Sequence, residues 1–124
     1  MANVVEAARW VRDSTRPDQR VLSGEPGIMR LYAGDQPRDR FVGFEDIEAE
    51  AWPDILAELR RRHIEYMIWH DRLFGQHGGL YSRQWRLERF ELLAKPENVE
   101  GVQVVRRFAD YPTLFILRVL AEPR

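Results

Sequence analysis

The sequence predicts an α/β fold: a three-layer, Rossmann-like mixed sheet with three parallel strands and a C-terminal antiparallel hairpin. Three observations carry this. Strand-like and helix-like segments alternate from Val4 to Ala94, which implies parallel pairing through right-handed crossovers. Two strand-like segments then follow each other across Ala109-Asp110-Tyr111-Pro112, a hairpin connection. Ile64 to Trp69 is almost wholly apolar, as expected of a strand covered on both faces. A length of 124 residues suits a single domain, 1–124.

Taken in order, Val4 to Ser14 reads as a helix, because Val4, Ala8 and Val11 fall on one face. Arg20 to Ser23 is a first short strand, Gly24-Glu25-Pro26-Gly27 a tight turn, and Ile28 to Ala33 a short helix that Gly34 ends. Phe41 to Phe44 is a second strand. Ile47, Ala51, Ile55 and Leu59 are spaced four apart, but Pro53 tolerates only the first turn of a helix. The firm helix is therefore Pro53 to Arg62, with 45–52 irregular. Ile64 to Trp69 is the third strand, Asp71 to Ser82 a loop with Gly75, Gly78 and Gly79, and Arg83 to Ala94 a helix stopped at Lys95-Pro96. Val102 to Phe108 and Thr113 to Leu120 are the last two strands.

The final strand alternates Phe115, Leu117 and Val119 with Leu114, Ile116 and Leu120, so both of its faces are apolar and it belongs inside the sheet. Its predecessor carries Gln103, Arg106 and Arg107, which suits an edge. The expected strand order is 2-1-3-5-4.

Composition excludes several functions. There is no cysteine, hence no disulfide, thiolate metal site or cysteine nucleophile. A net charge of −1 gives no overall pull toward nucleic acid. The densest apolar run, Leu114 to Leu117, falls far short of the ~20 residues that a membrane helix needs. The first residues lack the basic and apolar regions of a signal peptide, so any targeting or membrane segment is expected outside this sequence.

In open α/β sheets, ligands bind beyond the carboxyl ends of strands whose connections diverge. Here that crevice lies between strands one and three. It receives Glu25 from the first, and His70, Asp71 and Arg72 from the third, with His77 in reach from its loop. Imidazole can act as base or ligand, a carboxylate can orient it, and arginine can bind phosphate bidentately. The structural reading stands beside this one: His70 caps a buried strand, Asp71-Arg72 starts a turn, and neighbours on a strand point to opposite sides. The turn at Ser23–Gly27 has backbone amides for an anion, yet its glycine spacing is neither a dinucleotide fingerprint nor a P-loop. Glu25, His70, Asp71 and His77 lack the helix-spaced pairing of a metal site. No metal and no cofactor is expected, and no Gly-x-Ser-x-Gly elbow is present. Arg60-Arg61-Arg62 reads as a solvated helix end that complements the dipole. Trp10, Trp52 and Trp85 read as packing residues. Trp69, Phe74 and Tyr81 are the aromatics left from which a sugar-stacking platform could be built.

Three segments, in this order, resemble a known family: Ala8-Arg9-Trp10-Val11-Arg12 with Pro17-Asp18-Gln19-Arg20-Val21-Leu22; Gly27-Ile28-Met29-Arg30-Leu31-Tyr32-Ala33-Gly34; and Leu59 through Trp69. The order is similar to the soluble extracytoplasmic C-terminal region of bacterial polytopic glycosyltransferases of the dolichyl-phosphate-mannose-protein mannosyltransferase type. The resemblance implies a membrane-embedded part of the same polypeptide as partner, a lipid-linked sugar or its acceptor as further partner, and a place on the extracytoplasmic face of a membrane. In that family the catalytic acids lie on a loop among the membrane helices. No position here matches them, so no catalytic residue is carried over and the chain is expected to be inactive in isolation. The alternatives are a free-standing small α/β enzyme or small-molecule binder using the crevice, cytoplasmic if the chain is complete, and an interaction domain without a ligand.

Overall fold

The computed structural model of the chain describes residues 2–24, 26–34, 39–49, 51–70, 96–108 and 114–122. The elements are α1 (Ala2–Ser14), β1 (Arg20–Ser23), α2 (Pro26–Ala33), β2 (Phe41–Gly43), α3 (Trp52–Arg61), β3 (Ile64–His70), β4 (Val102–Phe108) and β5 (Leu114–Val119). Short 3-10 turns follow β2 at Phe44–Asp46 and precede β4 at Pro96–Asn98. The strands form one sheet in the order β2-β1-β3-β5-β4. β1 pairs in parallel with both β2 and β3, while β5 is antiparallel to β3 and to β4. This is the order expected from the apolar faces of the final strand. The expected loop 71–82, helix 83–94 and hairpin turn 109–112 lie outside the described residues.

Two apolar layers sandwich the sheet. On one face Val4, Ala7, Ala8 and Val11 of α1 and Met29 and Ala33 of α2 pack on Val21, Tyr66, Ile68, Leu114 and Ile116. On the other, Trp52, Ile55, Leu56 and Leu59 of α3 pack on Leu22, Met67, Trp69, Phe115 and Leu117. The α3 residues recur at i, i+3, i+4 and i+7, a single helical stripe. Full burial of each aliphatic side chain is worth about 1.5–3 kcal/mol.

Local chemistry sets the boundaries. α2 begins at Pro26, two residues before the expected Ile28, because proline's fixed φ suits a first helical turn and its missing N–H costs nothing there. Gly34 leaves α2 with φ 87°, the left-handed value glycine adopts without strain. Phe44 turns into the 3-10 segment instead of extending β2, and the Gly43 N–H donates to Asp46 Oδ2 at 3.2 Å. α3 starts one residue ahead of Pro53, which sits in its first turn. β4 carries a bulge between Val104 and Arg106 and exposes Arg106 and Arg107, devices that blunt a free sheet edge.

Candidate functional site

The sheet brings the carboxyl ends of β1 and β3 side by side, with Leu22 opposite Met67. Ser23 and Gly24 therefore end beside Ile68 and Trp69, one residue short of His70, and the proposed crevice lies off this end. Glu25, Asp71, Arg72 and His77 lie outside the described residues, as does the side chain of His70, whose backbone closes β3. Two expectations at this end change. Trp69 is not available for stacking on a sugar: it is fully buried and meets Phe44 edge-on at 5.6 Å between ring centroids. Strand parity places it with Met67 on the α3 face, so its ring fills the core. Phe74 and Tyr81 lie outside the described residues. The turn Ser23–Gly27 is also shorter than expected, because Pro26 and Gly27 are helical. Nothing lies within 4 Å of where a Cβ on Gly27 would stand, so no close backbone approach requires glycine there.

The opposite end of the sheet holds a cleft of about 630 Å³. This is inside the range of roughly 300–1,000 Å³ typical of ligand sites. Its floor is the start of β3, His63 to Glu65, and one wall is the turn from α1 into β1, where Arg16 and Asp18 pair at 3.0 Å. The other wall is the exit of β5, from Arg118 to Glu122, and Arg60 of α3 closes the back. His63 starts the floor. It adopts φ 58° directly after the helix, a left-handed cap that turns the chain at once into β3. The Arg60 Nε donates to the Leu120 carbonyl at 3.0 Å and fixes the β5 exit against α3. Leu120 is 39% exposed within this wall.

Several polar groups around this end hold the fold. Arg40 is buried just before β2; its Nε donates to the Gln19 carbonyl at 3.0 Å and its Nη2 to Thr15 Oγ1 at 2.6 Å. Burial pulls its guanidinium below the ordinary arginine value, and the negative charge of Asp18 pushes back. The Glu58 carboxylate, 6% exposed, accepts the Glu48 and Ala49 N–H groups at 3.2 and 3.1 Å. It also pairs with Arg62 Nη1 at 3.2 Å. Arg62 donates further to the Asp46 carbonyl at 2.9 Å, and Arg20 Nη1 to the Arg62 carbonyl at 2.7 Å. The run Arg60-Arg61-Arg62 is thus not a solvated helix end throughout. Arg61 is exposed, while Arg60 and Arg62 tie α3 to two other segments.

Sequence reasoning missed this cleft. Its walls come from residues far apart in the chain, each unremarkable alone. The local signal was the abrupt passage from Arg62 to Ile64, too short for an ordinary loop.

No family model matches the chain, and no curated protein matches its sequence. Its fold, however, is that of solved structures. The C-terminal globular domain of an oligosaccharyltransferase from Archaeoglobus fulgidus superposes with a TM-score of 0.61 at 11% identity, covering 96% of this chain and 98% of that one. A further structure, also the C-terminal globular domain of an oligosaccharyltransferase from Archaeoglobus fulgidus, gives 0.56 at 12% identity, covering 98% of this chain and 95% of that one. The source of both is archaeal and the enzyme an oligosaccharyltransferase, where the sequence resemblance pointed to a bacterial mannosyltransferase. What this chain shares with them, end to end, is the fold of a globular domain from a glycosyl-transferring enzyme.

Proposed function

We propose that this chain is an accessory domain of a membrane glycosyltransferase that uses lipid-linked sugar donors. It would sit on the extracytoplasmic face beside a membrane-embedded part of the same polypeptide and have no transferase activity alone. The observation that carries this reading is the completeness of the structural likeness. It spans 96% of this chain and 98% of an oligosaccharyltransferase domain, more than a shared strand–helix–strand fragment would. The order of the three sequence segments supports it independently, and the finer reading of a bacterial enzyme of the mannosyltransferase type rests on that order alone.

The interior supports the same reading. Among the described residues the buried charged groups, Glu58 and Arg40, use hydrogen bonds to hold loops to helices and strands. Among the described residues no helix is long and apolar enough to cross a membrane, so a membrane anchor would have to come from elsewhere. α1 packs along the sheet and leads through a short turn into β1, so it runs antiparallel to β1 and Ala2 lies at the carboxyl end of the sheet. A preceding membrane part would join there, beside the crevice. Glu25, His70, Asp71, Arg72 and His77 are the groups we assign to contact with acceptor or donor at that junction.

Sugar transfer from a lipid-linked donor, measured in membrane vesicles, tests this. The polypeptide carrying this domain is expected to transfer, and the same polypeptide with the domain deleted to lose transfer while still inserting. Full transfer without the domain would overturn the reading. So would turnover by the purified domain that is lost in His70→Ala or Asp71→Asn.

A further inference from the structure

The cleft at the amino ends of the strands faces away from the junction assigned above, and its chemistry points to a ligand of its own. Four charged groups line it without a counter-ion. Among the described residues Arg60, Arg118, Glu65 and Glu122 take part in no ion pair. Arg60 spends its Nε on the Leu120 carbonyl, whereas the exposed Arg118 guanidinium makes no hydrogen bond among the described residues. Charges of both signs in one concavity would ordinarily close on each other. Here they come from separate parts of the chain: Arg118 from β5 opposite Tyr66, Glu65 from the start of β3, Arg60 from the end of α3, and Glu122 from beyond the sheet. Between Arg118 and Glu122 the wall presents Leu120, one of three large apolar side chains left exposed among the described residues.

A simple anion does not fit this lining, since Glu65 and Glu122 repel it; a simple cation meets Arg60 and Arg118. A neutral sugar would leave all four charges desolvated and unpaired, which costs more than it returns. The complementary ligand carries an anion, a cation and an apolar group within a short span, and a polypeptide segment of mixed charge does so. We infer that the amino-end cleft is a docking site for an extended polypeptide segment that bears charges of both signs around an apolar residue. Its carboxylates meet Arg60 and Arg118, its ammonium or guanidinium meets Glu65 and Glu122, and its apolar side chain covers Leu120. This assignment does not depend on the membrane-enzyme reading, because it concerns the other end of the sheet.

The test is a titration of the isotope-labelled chain, following backbone amide shifts, with a six-residue peptide of repeating lysine, leucine and glutamate. Hexaglutamate, hexalysine and inorganic phosphate are the comparison arms. Saturable shifts at Glu65, Arg118, Leu120 and Glu122 are expected with the mixed peptide alone. The R118A/E122Q variant, whose changed side chains are exposed and hold no other element, should keep the native spectrum and bind at least about tenfold more weakly, or 1.4 kcal/mol. The inference falls if hexaglutamate or phosphate produces the same saturable shifts, if the shifts cluster at Ser23 and Trp69, if no shift saturates, or if R118A/E122Q binds as well as the parent.

Discussion

Replacing Glu58 with alanine removes a buried side chain that joins α3 to the irregular stretch after β2. The carboxylate is 6% exposed and accepts the Glu48 and Ala49 N–H groups and the Arg62 guanidinium. Without it, the Glu48 N–H can turn to water because Glu48 is exposed, but the Ala49 N–H is half-buried. A hydrogen bond to a charged group contributes about 1.5–3 kcal/mol, and an orphaned buried donor costs a similar amount. Arg62 keeps its bond to the Asp46 carbonyl and is only partly buried, so loss of its charge partner adds no more than about 1 kcal/mol. Glu58→Ala should therefore lower stability by about 2–4 kcal/mol, within the spread for breaking a buried polar network. With a urea m-value of about 2 kcal/mol/M, that moves the unfolding midpoint down by roughly 1–2 M at constant slope. Glu58→Gln keeps an oxygen for the two N–H groups and loses only the charge, so its cost should be about 1 kcal/mol. Equilibrium urea unfolding of the three proteins, followed by circular dichroism, decides the matter. An alanine variant that unfolds at the parent midpoint would refute the account, and a glutamine variant as unstable as alanine would show that charge, not acceptance, is what matters.

Two glycines separate backbone strain from steric overlap. Gly34 and Gly101 both have φ 87°, but a Cβ on Gly34 meets open space and one on Gly101 would overlap the Leu56 side chain. Gly34→Ala should cost about 1 kcal/mol and Gly101→Ala about 2–4 kcal/mol by thermal unfolding, and equal costs would contradict this packing. Arg40→Ala removes two bonds from a buried guanidinium and should destabilise by about 2–4 kcal/mol, whereas exposed Arg61→Ala should stay within about 0.5 kcal/mol. The reverse ranking in denaturant unfolding would show that Arg40 is not the tie between β2 and the α1–β1 turn. Trp69→Ala should cost about 3–5 kcal/mol and affect sugar binding only through unfolding. A folded, stable variant that had lost binding would restore Trp69 as a contact residue.

Much of the architecture is local and therefore legible. The α3 stripe at Trp52, Ile55, Leu56 and Leu59 and the alternation along Leu114–Val119 are patterns of period 3.6 and 2 that any reader of the chain can find. The strand order followed because a strand apolar on both faces must be flanked on both sides, while one bearing Arg106 and Arg107 tolerates an edge. The boundaries shifted where a single residue's φ preference outweighed the pattern, as Pro26 did at the start of α2.

The polar half was not legible, because hydrogen bonds across tertiary contacts have no period. Nothing near Glu58 in the sequence announces that it will accept the N–H groups of Glu48 and Ala49, and Arg60-Arg61-Arg62 looks like one solvated run until two of its members reach distant carbonyls. Trp69 reads first as part of a buried strand and only secondarily as a platform, and strand parity cannot say which helix will cover it. α3 covers it. By itself the sequence determined, among the described residues, which segments are helices and strands, the order of the sheet, and the absence of thiol chemistry. Tertiary structure alone decided that Arg60, Glu65, Arg118 and Glu122 share one cleft with no ion pair among the described residues. Side-chain convergence depends on where separate elements end in space, and the apolar pattern that folds them carries no record of it.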